Sequence, residues 1–227
     1  MSIRLKAVSV RLGDVDALQD ITLSLDAPTV AVIGENGSGK STFARLLGGL
    51  APRASGDLRV LGLDPAREAK QLRRRTAMLF SNPDAQIVMP TVAEDVAFSL
   101  RGDRLAPDET RRRTMDALER FGLADLAERP SHDLSGGQKQ LLALCGAFVR
   151  DPDLVIADEP TAYLDARNAR TVATHLFAPG GHRLVLVTHD LALAARCEVA
   201  VLFAAGRVAA VGEPDAVIAE YEGMLRC

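Results

Sequence analysis

Between Ile3 and Leu25 apolar and polar residues alternate (Ile3, Leu5, Ala7, Val10, then Ile21, Leu23, Leu25), the period of strands with one buried and one wetted face. Two strands of a partly exposed antiparallel sheet are predicted there. The pattern changes at Thr29-Val30-Ala31-Val32-Ile33, a short unbroken apolar run that marks a strand buried on both faces. A glycine-rich turn follows, then a helical pattern from about Lys40 to Leu50. Further buried strands are predicted at 75–80, 153–158 and 183–188, separated by helical segments, so the core reads as a parallel α/β sheet with crossover helices. Residues 81–150 differ. They read as helices at roughly 91–100, 108–121 and 136–149 with no strand among them, a helical lobe set into the α/β core. The chain closes with a hairpin over 199–211, turning at Ala205-Gly206-Arg207, and one short helix. The expectation is a single domain over 1–227, its core lobe at 1–80 and 151–227 and its helical lobe at 81–150.

The chain of 227 residues suits one well-packed domain, and its 48% hydrophobic and 25% charged content argues against disorder. A formal charge of −3 gives no global electrostatic reason to bind nucleic acid. The triplets Arg73-Arg74-Arg75 and Arg111-Arg112-Arg113 read as solvated faces. Cys145, Cys197 and Cys227 are odd in number, far apart and without a CxxC, so they suggest neither a disulfide framework nor a zinc site and fit a reducing compartment. The N-terminus shows no signal-peptide pattern, and the longest apolar stretches, such as 141–149, fall far short of the ~20 residues that span a bilayer. A role at a membrane would need a partner to hold the chain there.

Gly34-Glu35-Asn36-Gly37-Ser38-Gly39-Lys40-Ser41 fits G-x-x-x-x-G-K-[ST] between a buried strand and a helix, the context this motif requires. Its glycines let backbone N–H groups converge on phosphate oxygens, and the helix N-terminus adds its positive dipole end. Lys40 is expected to reach the β- and γ-phosphates of ATP and the Ser41 hydroxyl to ligate Mg²⁺, with Thr42 next to it in the nucleotide site. Kinases, GTPases, helicases and transporters share this loop.

Leu134-Ser135-Gly136-Gly137-Gln138-Lys139-Gln140 narrows the field. Ser135 and Gln138 have capping-box spacing ahead of an apolar helix, and such a capped helix end pointed at solvent also suits a phosphate. The stretch resembles the LSGGQ signature of the ABC ATPases. The resemblance implies that Ser135, Gly136, Gly137 and Gln138 contact the γ-phosphate of ATP held by a second ATPase subunit, homodimer or paralogue, met head to tail. Leu154-Val155-Ile156-Ala157-Asp158-Glu159, 20 positions beyond Gln138 counted at Asp158, delivers two carboxylates at the end of a buried strand. Asp158 is expected to hold Mg²⁺, and Glu159 looks like the residue that orients or deprotonates the attacking water. Pro160-Thr161-Ala162-Tyr163-Leu164-Asp165 resembles the D-loop, whose Asp lies at the dimer interface. His189, ending Leu184-Val185-Leu186-Val187-Thr188, resembles the switch histidine that contacts the γ-phosphate. His132, His175 and His182 match nothing and read as surface residues.

The fold so implied is a P-loop NTPase of the ABC ATPase type: α/β, with a parallel core sheet, an N-terminal antiparallel β subdomain and an inserted helical lobe. The resemblance implies a transport-coupled ATPase, with ATP and Mg²⁺ as cofactors, peripheral on the cytoplasmic face of a membrane. A chromosome-maintenance protein would need a long coiled coil between Lys40 and Leu134, which lie 94 positions apart without heptads. A translation-associated ABC protein would carry two cassettes.

Asn82-Pro83-Asp84-Ala85-Gln86-Ile87, followed by Thr91-Val92-Ala93-Glu94-Asp95-Val96, resembles the energy-coupling-factor (ECF) importers of vitamins, cobalt and nickel. There the segment equivalent to 81–96 faces a transmembrane coupling protein, and a separate membrane protein recognises the substrate. Asp84-Ala85-Gln86 with Ala97-Phe98-Ser99-Leu100-Arg101 looks most like the biotin-uptake ATPases, with the ATPase of a cobalt or nickel importer, or of another ABC transporter, as the alternative. Gln86 is expected to project beside Ile87 and Val88 and offer a groove to a partner helix. Two positions depart from the family pattern. Leu12 stands where an aromatic usually stacks on adenine, and Ser81 where the Q-loop has glutamine.

Overall fold

The computed structural model describes residues 3–226, which divide into two compact units. The first comprises residues up to Thr76 together with 153–159 and 181 onward; the second comprises 77–152 and 160–180.

The first unit begins with the expected alternating strands, β1 (Ile3–Leu12) and β2 (Val15–Leu25), paired antiparallel from Ile3↔Leu25 to Leu12↔Val15. β4 (Ser55–Val60) flanks β1 on its other edge. This third strand has no clear sequence signal, because Ser55-Gly56-Asp57 is polar and only Leu58 and Val60 turn inward, where both are buried. β3 (Thr29–Gly34), α1 (Lys40–Leu47), α2 (Ala69–Arg75), β6 (Leu154–Asp158), β7 (Arg183–Val187), α7 (Leu191–Ala194), β8 (Val199–Ala204), β9 (Arg207–Gly212) and α8 (Pro214–Leu225) complete the unit. Its central strands run in the order β6-β7-β3-β8-β9. β3 is parallel to β7 (Val30↔Val185) and to β8 (Val32↔Val201), while β9 returns antiparallel as the expected hairpin. Residues of β3, β6 and β7 are almost entirely buried, which explains their unbroken apolar sequences. α1 buries Phe43 against Phe203 of β8, ring centroids 5.0 Å apart, and so fixes the helix that follows the glycine-rich turn.

β5 (Thr76–Leu79) leads into the second unit, whose helices are α3 (Val92–Ser99), α4 (Pro107–Arg120), α5 (Gly136–Phe148) and α6 (Ala166–Leu176). Phe121 packs between Phe148 (5.9 Å) and His175 (4.3 Å). His175 is therefore a packed residue of α6 and not the surface histidine that its isolation in the sequence suggests; burial pushes its pKa down. Packing of α6 on α5 also places 160–180 with this unit. Arg150 pairs with Asp103 at 3.0 Å. Among the described residues no helix is long and apolar enough to cross a membrane. Cys145 and Cys197 are free and buried, their thiols pushed up to about 12 by burial; Cys227 lies outside the described residues.

Candidate functional site

β3 ends at Gly34, where φ is +141° and a Cβ would overlap the Phe203 carbonyl of β8. The chain then loops back to α1 through Gly39, φ +106°, where a Cβ would lie 2.8 Å from the Ala17 carbonyl. Both glycines are thus required by close backbone approach as well as by a left-handed φ. Between them Glu35, Asn36 and Gly37 are exposed and Ser38 is buried. The Ser38 backbone N–H donates to Glu35 O at 3.2 Å, and its carbonyl accepts from Gly206 at 3.0 Å. Its hydroxyl is buried with no hydrogen-bond partner.

Lys40, 7% exposed, donates from Nζ to the carbonyls of Gly34 and Glu35, both at 2.7 Å. Burial lowers its pKa, while the negative charges of Glu159, Asp158 and Glu35 push it back up. The ammonium is held over the loop as a desolvated cation, suited to phosphate oxygens. Ser41 donates from its hydroxyl to Asp158 Oδ1 at 3.1 Å, joining the start of α1 to the end of β6; Thr42 is half-buried one residue on. Burial raises the Asp158 pKa, although Ser41, Arg45 and Lys40 pull it down. A hydroxyl and a carboxylate brought together in this way are hard oxygen donors, the set that Mg²⁺ prefers.

Glu159 has left-handed backbone, φ +52°, and its N–H donates to the Val187 carbonyl at 2.9 Å. This turn aims its carboxylate at a residue two positions beyond the end of β7: Glu159 Oε2 lies 2.7 Å from His189 Nδ1. Asp190, next in sequence, caps α7 by accepting from Ala192 and Leu193. The first unit therefore gathers 34–42, Asp158, Glu159 and His189 at the carboxyl ends of β3, β6 and β7, where open α/β sheets place their ligand sites. The sequence nominates each of these residues separately; the Glu159–His189 pair is a finding of the tertiary structure.

Ser135 to Gln138 belong to the second unit. Ser135 Oγ accepts from the Gln138 N–H at 3.4 Å, and Gln138 Oε1 accepts from the Ser135 N–H at 2.9 Å, the reciprocal box that their spacing predicts. Gly136 is exposed, whereas Gly137 is buried at a point where a Cβ would overlap the Asn168 carboxamide of α6. Lys139 Nζ donates to Asp84 Oδ1 at 2.7 Å, tying the first turn of α5 to the 81–96 segment.

That segment corrects one expectation. Gln86 does not project toward a partner: its Oε1 accepts from the Phe80 N–H at 2.8 Å and its Nε2 donates to the Met78 carbonyl at 2.9 Å. A carboxamide in reach of a backbone carbonyl and N–H at the end of β5 satisfies both by bonding to them. Asp95 of α3, 6% exposed, accepts from the Val88 and Met89 N–H groups, so Val88 stays fixed while 61% exposed. Thr91 and Glu94 form a second capping box, at the start of α3, of the kind that T-x-x-E spacing signals. Leu12 is 45% exposed at the turn between β1 and β2. No group of three or more His, Cys, Asp or Glu that could hold a metal occurs among the described residues.

Comparison with known proteins bears on the family and the fold. Residues 18–162 match the family model described as "ABC transporter". The chain is 38% identical over 221 residues to a biotin transport ATP-binding protein of Rhizobium etli, covering 97% of this chain and 98% of that one. It is 39% identical over 214 residues to an energy-coupling factor transporter ATP-binding protein of Latilactobacillus sakei, covering 92% and 76%. Among solved structures, the cbiO1 protein of Clostridium perfringens, part of the ABC transporter complex cbiONQ, superposes with a TM-score of 0.85 at 30% identity, over 99% of this chain and 93% of that one.

Proposed function

The chain belongs to the ABC transporter ATPase family, as the ATP-binding subunit of an ECF-type transporter, and on that premise we propose that it hydrolyses ATP at the 34–42 site to energise biotin import. The observation that carries the site is the convergence of Lys40, Ser41–Asp158 and Glu159–His189 at one end of the central strands. Backbone N–H groups of 34–42 and the Lys40 ammonium bind the phosphates. Ser41 and Asp158 hold Mg²⁺, which supplies charge neutralisation on the phosphates when bound. Glu159 accepts the proton of the attacking water, and His189 fixes the Glu159 carboxylate while facing the γ-phosphate. Ser135, Gly136, Gly137 and Gln138 serve the nucleotide of a second subunit, so two chains act head to tail on the cytoplasmic face of the membrane. Segment 81–96, with Val88 exposed and its N–H held by Asp95 while Gln86 ties the segment to Met78 and Phe80, docks the transmembrane coupling protein, beside the membrane protein that binds substrate.

Support for biotin comes from the likeness to the Rhizobium etli protein over almost its whole length. The roles at the site are tested by two substitutions. Glu159→Gln should keep ATP binding and lose hydrolysis by about 10²-fold or more, as on removal of a general base. Lys40→Ala should instead lose nucleotide affinity. A Glu159→Gln protein with near-normal turnover would remove Glu159 from the mechanism. Uptake of labelled biotin by vesicles carrying the intact complex tests the cargo; uptake of cobalt or nickel in its place would assign the alternative.

A further inference from the structure

A cavity of about 760 Å³ lies wholly within the second unit, between α3, the 101–105 turn and α4. Ala97, Leu100, Leu105 and Met115 give it an apolar lining. Arg101, Arg104 and Arg111 line it as well, and all three are exposed. Size and lining are those of a small-molecule site, where apolar walls take the body of a ligand and a few polar groups fix its head.

Two observations show that polar groups of this cavity are left for a ligand. The first is the charge. Arg112 and Arg113 of α4 both pair with Glu109 at 2.8 Å, whereas Arg101, Arg104 and Arg111 have no ion pair among the described residues. Arg101 is held over the Phe98 ring, 5.0 Å from its centroid. Arg104 is placed by left-handed backbone, φ +53°, in a turn that Asp103 anchors through Arg150. Two carboxylates also line the cavity, but Glu94 accepts from the Thr91 hydroxyl at 2.9 Å in its capping box, so Glu128 alone faces three cations. The second observation is Thr114, 4% exposed, whose hydroxyl has no hydrogen-bond partner. Helical threonines can bond the carbonyl one turn back, as Thr171 and Thr174 of α6 do at 3.1 and 2.8 Å. Thr114 does not, and a buried hydroxyl left unbonded is costly. It lines the cavity, and a rotation about χ1 turns its hydroxyl inward.

We propose that this cavity binds a small amphipathic carboxylate, its apolar body between α3 and α4, its head on the guanidiniums of Arg101, Arg104 and Arg111, and a polar atom bonded to Thr114. Planar guanidiniums match a carboxylate in bidentate fashion, and the charge of Glu128 opposes a more highly charged head. The site uses no residue of 34–42, so it stands apart from the ATPase reading. In the test, the full chain without nucleotide is titrated calorimetrically with octanoate and with biotin, a fatty acid and a soluble vitamin that share this chemistry. At least one should bind saturably, one per chain, and its neutral analogue (octan-1-ol or biotinamide) about tenfold or more weakly. Arg101→Gln combined with Arg111→Gln should lower the affinity about tenfold or more while ATP binding stays at the parent level. Thr114→Val should lower it about threefold. Binding of octanoate alone identifies a lipid-derived acid, and of biotin alone a soluble one. Failure of both carboxylates to bind, equal binding of the neutral analogues, or parent-like affinity of the arginine variant overturns the proposal. So does binding by the isolated chain that is lost in the intact transporter complex, which would give the cavity to the coupling protein.

Discussion

The starts of α1 and α5 are both glycine-flanked helix N-termini, yet they are finished differently. At α1 the N-cap is Gly39 in left-handed conformation, and no side chain caps the helix. At α5 the Ser135–Gln138 box closes the first turn from within. Helix N-termini carry unpaired N–H groups that need a partner. In α1 no side chain takes that role, which suits the phosphate contact proposed for this loop. In α5 the chain supplies the cap itself, so the signature turn is preformed and stable before any second subunit arrives. The glycines differ in the same sense. Gly39 faces backbone, which cannot move aside, whereas Gly137 faces the Asn168 side chain, which can.

This contrast is broken most severely at Gly39. Gly39→Ala should cost about 2–4 kcal/mol of stability, through left-handed strain and a Cβ driven into the Ala17 carbonyl, and abolish ATP binding. Gly137→Ala should cost about 1 kcal/mol or less, since Asn168 can change rotamer, and leave nucleotide binding by the isolated chain intact. Denaturant titrations with nucleotide binding on the same samples decide the matter; equal losses at the two sites would erase the distinction. Ser135→Ala comes next, at about 1 kcal/mol for a lost cap, with ATP affinity of the isolated chain unchanged. The smallest effect involves the third cap, Asp165 on α6. Hydrogen bonds from the Asn168 backbone and side chain hold its carboxyl below the ordinary value of 3.8. A carboxylate with a depressed folded pKa stabilises above that ordinary value and is lost as pH falls through the folded one. Acidification below 3.8 should thus shift the Asn168 amide resonance while the neutral cap at Gln138 stays unchanged.

Much of the site was legible because local chemistry imposes it. Lys40, Ser41, Asp158, Glu159 and His189 all lie within a few residues of the ends of buried strands whose apolar runs are unmistakable. β4 was not legible, because a strand on one edge of a small sheet needs only two apolar residues, Leu58 and Val60, and its glycine and polar residues read as loop. Gln86 was misread because sequence shows a polar residue beside apolar ones but not the backbone groups of Met78 and Phe80 that capture it.

By itself the sequence determined the buried strands of the core, the main helices, the glycine-rich loop, the signature cap and the family, since each depends on residues a few positions apart. Tertiary structure alone decided which distant groups meet: Ser41 with Asp158, Glu159 with His189, and Asn168 with Gly137. Those contacts join residues separated by tens of positions, and their geometry is set by sheet register and helix packing, which no local pattern encodes.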